Sequence, residues 1–155
     1  MSTFIHKWPG LIISFLAVFI LLLTGCGKEE NPNSITIPAS TGEKIEVTLD
    51  TSDDFHMEKP NEVLLVYQKK KVMLRLAFIS KEEEIKQRSA IITMPFEIYE
   101  ERDDYISYAA AGPQGMVTYY MYPVGEKTWL YAGTHLPKEA ADKVLSRLHF
   151  KEVKA

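Results

Sequence analysis

The sequence predicts an α+β domain: an antiparallel β-meander sheet with a C-terminal amphipathic helix packed on one face. Three patterns lead there. Apolar and polar residues alternate in runs of strand length from residue 44 onward. Short polar turns separate those runs, as antiparallel neighbours require. The last apolar pattern, over residues 140–148, changes to helical spacing.

Lys44-Ile45-Glu46-Val47-Thr48-Leu49 alternates throughout and predicts a half-buried strand, after which residues 50–61 break into a polar loop containing Pro60. Two β-rich runs, 62–67 and 72–79, flank Gln68-Lys69-Lys70-Lys71 and predict a hairpin, with Val72, Leu74, Leu76 and Phe78 sharing a face. Ser80-Lys81-Glu82-Glu83 fits a capping box, but only Ile85 is apolar before Arg88, so a short exposed helix or turn is expected. Pro95 interrupts residues 90–100 and suits an edge or the junction of two short strands. Residues 105–110 form the next strand, and Gly112-Pro113-Gln114-Gly115 is a turn. A third hairpin pairs 116–122 with 128–132. In the final helix Ala140 or Ala141, Val144, Leu145 and Leu148 share a stripe, Pro137 suits the first turn, and Glu139 with Lys143 adds an i,i+4 pair. Phe150 would complete its contact with a sheet of about six or seven strands.

The 155 residues suit one domain with an appendage. The net charge of −3 leaves no basic footprint for nucleic acid. The only dense basic run, Lys69-Lys70-Lys71, fits a solvated hairpin tip, with contact to anionic lipid headgroups or an acidic partner as the alternative.

The appendage is the N-terminus. His6 and Lys7 precede an apolar stretch, residues 11–23, whose one polar member is Ser14. As a helix those thirteen residues would rise about 20 Å, short of a hydrocarbon core about 30 Å thick, so a cleaved secretory signal fits better than a membrane span. Leu23-Thr24-Gly25-Cys26 comes directly after it and resembles the lipobox of bacterial lipoproteins. That resemblance implies cleavage before Cys26, a diacylglyceryl group on its thiol, and attachment to the outer, extracytoplasmic face of the cell membrane. Leu23, Thr24 and Gly25 would be the residues the peptidase reads. Cys26 is the one cysteine in the chain, so no intramolecular disulfide competes for it.

The expected organisation is thus a signal peptide over 1–25, a lipidated flexible tether over 26–40 and a single domain over 41–155. The Asn-, Pro- and Ser-rich residues 27–40 would reach up to about 50 Å from the membrane. A strand-rich meander ending in a helix, from Leu136-Pro137-Lys138 through Leu148-His149-Phe150, resembles domains of the PsbP/Mog1-like class. The resemblance covers element order alone, and fold analogy does not assign function.

Chemistry is sparse. His56, His135 and His149 have no histidine or cysteine at ligand spacing, and Asp53-Asp54-Phe55-His56-Met57-Glu58 lacks the spacing and glycine of a calcium loop. There is no Gly-x-Ser-x-Gly elbow, and the two glycines of residues 112–115 do not lead into the Lys-Ser/Thr of a phosphate loop. Glu82, Glu83 and Glu84, with Glu100 and Glu101, read as solvated acids rather than a glycosidase pair. No catalytic residue, metal or cofactor is therefore expected. Aromatic residues do crowd together: Tyr99, Tyr105, Tyr108, Tyr119, Tyr120, Tyr122, Trp129 and Tyr131 fall within 33 positions. Strand alternation sends Tyr119 and Met121 to one face and Tyr120 and Tyr122 to the other. Tyr120 and Tyr122 are the candidate interaction surface, with the opposite set in the core. The expected function is a noncatalytic interaction domain for an unidentified envelope protein. The alternative is a small-molecule or lipid-binding lipoprotein with a pocket between sheet and helix.

Overall fold

The computed structural model describes residues 33–154. The signal segment, Leu23, Thr24, Gly25, Cys26 and the tether up to residue 32 lie outside the described residues. Residues 33–154 form an α and β domain of antiparallel sheets with two α-helices.

Three strands form the smaller sheet: β1 (Ser34–Pro38), β2 (Lys44–Leu49) and β10 (Leu148–Glu152), in the order β1-β2-β10. Seven form the larger: β3 (Phe55–Glu58), β4 (Leu64–Gln68), β5 (Lys71–Ser80), β6 (Glu97–Arg102), β7 (Tyr105–Gly112), β8 (Gly115–Pro123) and β9 (Thr128–Thr134). Its order is β3-β4-β5-β9-β8-β7-β6, so it is two meanders rather than one. Helix α1 (Lys81–Thr93) carries the chain between them, and β9 returns beside β5 with Ala77 opposite Tyr131. Helix α2 (Lys138–Leu145) links β9 to β10.

Both sheets share the main core. Ile45, Val47 and Leu49, on one face of β2, are at most 1% exposed and join Leu64, Val66, Leu74, Leu76 and Leu130 of the larger sheet. Each such burial contributes roughly 1.5–3 kcal/mol. Ala141 and Val144 of α2 belong to the same cluster. A second cluster lies on the opposite face, where Ile91 of α1 meets Ile106, Tyr108, Met121 and Trp129.

Four expectations need correction. Ser34–Pro38, assigned to the tether, is strand β1: Ile37 is buried, and the Ser34 and Thr48 hydroxyls lie 2.6 Å apart across the ladder. The folded domain therefore begins before residue 41. Within the expected loop 50–61, Phe55–Glu58 forms a short edge strand whose one buried side chain is Phe55. The final helix stops at Leu145, and Leu148–Glu152 leaves as a strand on β2, with Phe150 opposite Val47. Among the described residues a strand thus follows the helix with which the PsbP/Mog1-like resemblance closed. Finally, α1 is a full helix of 13 residues. Its inward stripe is masked because it holds an ion pair: Glu84, 1% exposed, accepts from Lys81 Nζ at 2.8 Å and Arg88 Nε at 2.6 Å, two turns before buried Ile91. The expected capping box starts this helix, with Ser80 Oγ accepting from Glu83 N and Glu83 reaching back to Ser80 N.

Candidate functional site

Strand alternation gives the larger sheet two faces, and the smaller sheet shares a core with one of them. Tyr120 points to that face. It is 1% exposed, and its hydroxyl donates to Asp142 Oδ1 of α2 at 2.8 Å. Tyr122 is half-buried between Tyr105 and Phe150, with ring centroids 6.2 Å from each. Tyr120 therefore belongs to the main core, which takes it out of the expected surface, whereas Tyr122 packs against that core and keeps an exposed part in an open cleft with His149 and Phe150. Burial and, for Tyr120, the bond to Asp142 push both hydroxyls well above the usual tyrosine range.

The opposite tyrosines form a stacked aromatic array in which Tyr108 is buried and Tyr119 and Tyr131 are half-buried. Tyr108, opposite Tyr119 in the β7–β8 ladder, stacks on it at 5.1 Å, and Tyr119 stacks on Tyr131 at 5.6 Å. The Tyr108 and Tyr131 hydroxyls meet at 3.0 Å. Burial raises both titrations, so these groups stay protonated as neutral donors.

Beside this array the face drops. Across β8, β9 and β5 one row reads Tyr119, Gly133, Arg75, and the next reads Met121, Tyr131, Ala77. Gly133 and Ala77 leave a trough between the tyrosines and Arg75. A Cβ at Gly133 would sit 3.2 Å from the Tyr119 ring, so glycine is what allows that ring to lean across β9. The trough is an open, mainly apolar groove of about 400 Å³, with Val63 and Val117 in its lining and Arg75 and His135 both exposed. Among the described residues Arg75 has no ion-pair partner. His135 Nδ1 lies 3.3 Å from the Met116 carbonyl oxygen. No helix residue lines this groove, which sets it apart from a pocket between sheet and helix. A second, more polar cleft of about 510 Å³ does lie beside α1, lined by Glu84, Arg88, Glu101 and Arg102.

The remaining sequence candidates stay apart. His56 stacks on Tyr67 at 5.1 Å on the β3 edge, and exposed His149 sits opposite Thr48. One carboxylate group carries no sequence signal, because its members come from three turns or strand ends. Glu43, Glu126 and Glu152 bring oxygens within 4.8 Å of one another, a spacing that could hold a cation. Two of these carboxylates already have structural partners: Glu43 accepts from Lys127 N at 2.8 Å and Thr128 Oγ1 at 2.7 Å, and Glu152 accepts from Glu126 N at 3.1 Å. The group ties the β8–β9 turn to the smaller sheet.

No family model, curated protein or solved structure matches the chain. Among the described residues no helix is long and apolar enough to cross a membrane.

Proposed function

We propose that the chain is a bacterial lipoprotein whose domain is a noncatalytic interaction module at the extracytoplasmic face of the cell membrane. The anchor is lipid on Cys26, exposed by cleavage behind Leu23-Thr24-Gly25. Two acyl chains hold a protein persistently where one gives reversible binding.

The observation that carries the binding role is the groove on the sheet face opposite the main core. It combines an aromatic wall, a floor of Gly133 and Ala77, and a guanidinium with no ion-pair partner among the described residues. Such a site accepts an apolar or aromatic group in the trough while Arg75 meets an acidic group in a fixed, planar geometry. In this reading α2 covers the other face of the sheet through Ala141 and Val144, and α1 packs on this one through Ile91 beside buried Tyr108, leaving the exposed parts of Tyr119 and Tyr131 to a partner. The groove volume falls in the range of small-molecule sites, which keeps a small acidic ligand as a second occupant.

Photo-crosslinking from position 135 in intact cells tests the reading, with identification of the adducts. Adducts should be lost with Arg75→Glu, and the mature chain should enter the detergent phase unless Cys26 is replaced by Ser. Adducts indifferent to Arg75→Glu would sink the groove assignment. Partitioning indifferent to Cys26→Ser would sink the anchor.

A further inference from the structure

We infer that the pole at which the chain enters the domain docks on anionic phospholipid headgroups through Lys69, Lys70 and Lys71. This rests on the anchor proposed at Cys26 and adds an orientation to it.

A continuous set of contacts defines that pole. Asn33 O accepts from Leu49 N at 2.9 Å, and the next residue, Asp50, donates its N–H to Arg147 O at 2.9 Å. Arg147 Nη1 reaches Ser52 O at 3.1 Å, and the loop closes on the lysine hairpin where Lys69 N donates to Asp54 O at 3.0 Å. The ladders agree. Ser34 pairs with Thr48 near the end of β2, Phe55 pairs with Gln68, and Gln68 pairs with Lys71. The lysine hairpin therefore lies at the same end of the fold as the point where the tether arrives.

The tether is also shorter than its composition implies. With β1 folded, residues 27–33 separate Cys26 from the domain, and their contour cannot exceed about 25 Å. A domain of this size is about 35 Å across. The pole that carries the tether must stay near the bilayer, and the lysines stay with it.

At this pole the three lysines outnumber the one exposed acid beside them that makes no ion pair among the described residues, Asp54. Arg147 is occupied by Asp50 at 3.5 Å and by Asp53, whereas Lys69, Lys70 and Lys71 are exposed and make no ion pair among the described residues. Lys69 holds a left-handed φ of 55°, a conformation glycine or asparagine would hold at less cost. Three lysines are too few to bring a free protein to a membrane, where clusters of four to eight are usual. On a lipid-anchored chain the headgroups are already at high effective concentration, so the same attraction suffices to orient.

The test uses the full lipid-modified chain in vesicles of phosphatidylcholine, alone or mixed with phosphatidylglycerol. A brief pulse of a water-soluble amine-acylating reagent is read lysine by lysine by mass spectrometry. Lys69, Lys70 and Lys71 should acylate roughly fivefold more slowly on the anionic vesicles, the occupancy ratio of one headgroup contact per lysine. High salt should abolish the difference. Lys86 and exposed Lys127, beyond the opposite end of β5, should react alike on both vesicles. Equal labelling of the three lysines on both vesicles, with the chain still floating, would overturn the docking while leaving the anchor intact. Protection of equal size on both would place protein over the lysines instead of headgroups, and would overturn it too. A chain that fails to float refutes the anchor and this inference with it.

Discussion

Replacing Tyr120 with Ser should remove much of the domain's margin of stability rather than a binding surface. The ring is 1% exposed in the main core, and its hydroxyl donates to Asp142 at 2.8 Å. Truncating a buried aromatic side chain costs about 3–5 kcal/mol, the spread reflecting how far the neighbours collapse into the space. Tyr120→Phe keeps the ring and loses only the hydroxyl. Hydrogen bonds to charged groups contribute about 1.5–3 kcal/mol, but Asp142 is 45% exposed and keeps Lys138 at 2.7 Å, so a loss of about 1 kcal/mol is expected. A domain of this size is stable by roughly 6–18 kcal/mol. In urea, with a slope of about 1.5 kcal/mol per molar, the Ser variant should lower the midpoint by about 2–3 M and the Phe variant by less than about 1 M. Tyr119→Ser, at the half-buried array, should fall between wild type and Tyr120→Ser. A Tyr120→Ser midpoint indistinguishable from wild type would refute the placement of this ring. Equal losses for Ser and Phe would refute the division between packing and hydrogen bond.

Three further outcomes rest on contacts elsewhere in the domain. Burial pushes the Glu84 carboxyl up, but hydrogen bonds from Lys81 and Arg88 outweigh it and hold the group below its usual range. The unfolded chain therefore takes up this proton first as pH falls. The stabilisation is complete above the ordinary glutamate value of about 4.3 and is lost as pH drops through the lower folded value. Glu84→Gln should flatten that acid limb and cost about 3 kcal/mol near neutrality, measured by denaturation across pH; an unchanged limb would discount the ion pair. Ser80→Ala, by removing the acceptor for Glu83 N, should cost about 1 kcal/mol and lower the thermal midpoint by several degrees. Gly125→Ala would bring a Cβ to 2.6 Å from Glu43 Oε2 and displace that carboxylate from Lys127 N and Thr128 Oγ1. A loss of about 1–3 kcal/mol, with faster amide exchange at Lys127, is expected.

Elements whose pattern depends on near neighbours are readable from the sequence. The β2 alternation, the β4–β5 and β8–β9 hairpins and the capping box at Ser80 all appear at or within a few residues of the expected positions. The elements that escape such a reading depend on distant partners. β1 has two isoleucines in a polar stretch and becomes a strand because β2 offers it a free edge. The Leu148–Glu152 segment continues a helical apolar spacing, yet the other edge of β2 captures it. In α1 the inward position is Glu84, so an apolar count finds no buried stripe although ion pairing provides one.

The candidate site divides in the same way. Alternation alone separates Tyr119 and its neighbours from Tyr120 and Tyr122, because successive side chains in a strand must point to opposite faces. Which face holds the main core depends on where the smaller sheet packs, and that sheet is assembled from residues at both ends of the domain. Burial of Tyr120 and the groove at Tyr119, Tyr131 and Gly133 are therefore tertiary facts. The anchor proposed at Cys26 is the reverse case, since its reading needs only a short contiguous run of sequence. The physical reason is range: the period of a strand is set within a few bonds, whereas the exclusion of water from one of its faces needs a second layer supplied from elsewhere in the chain.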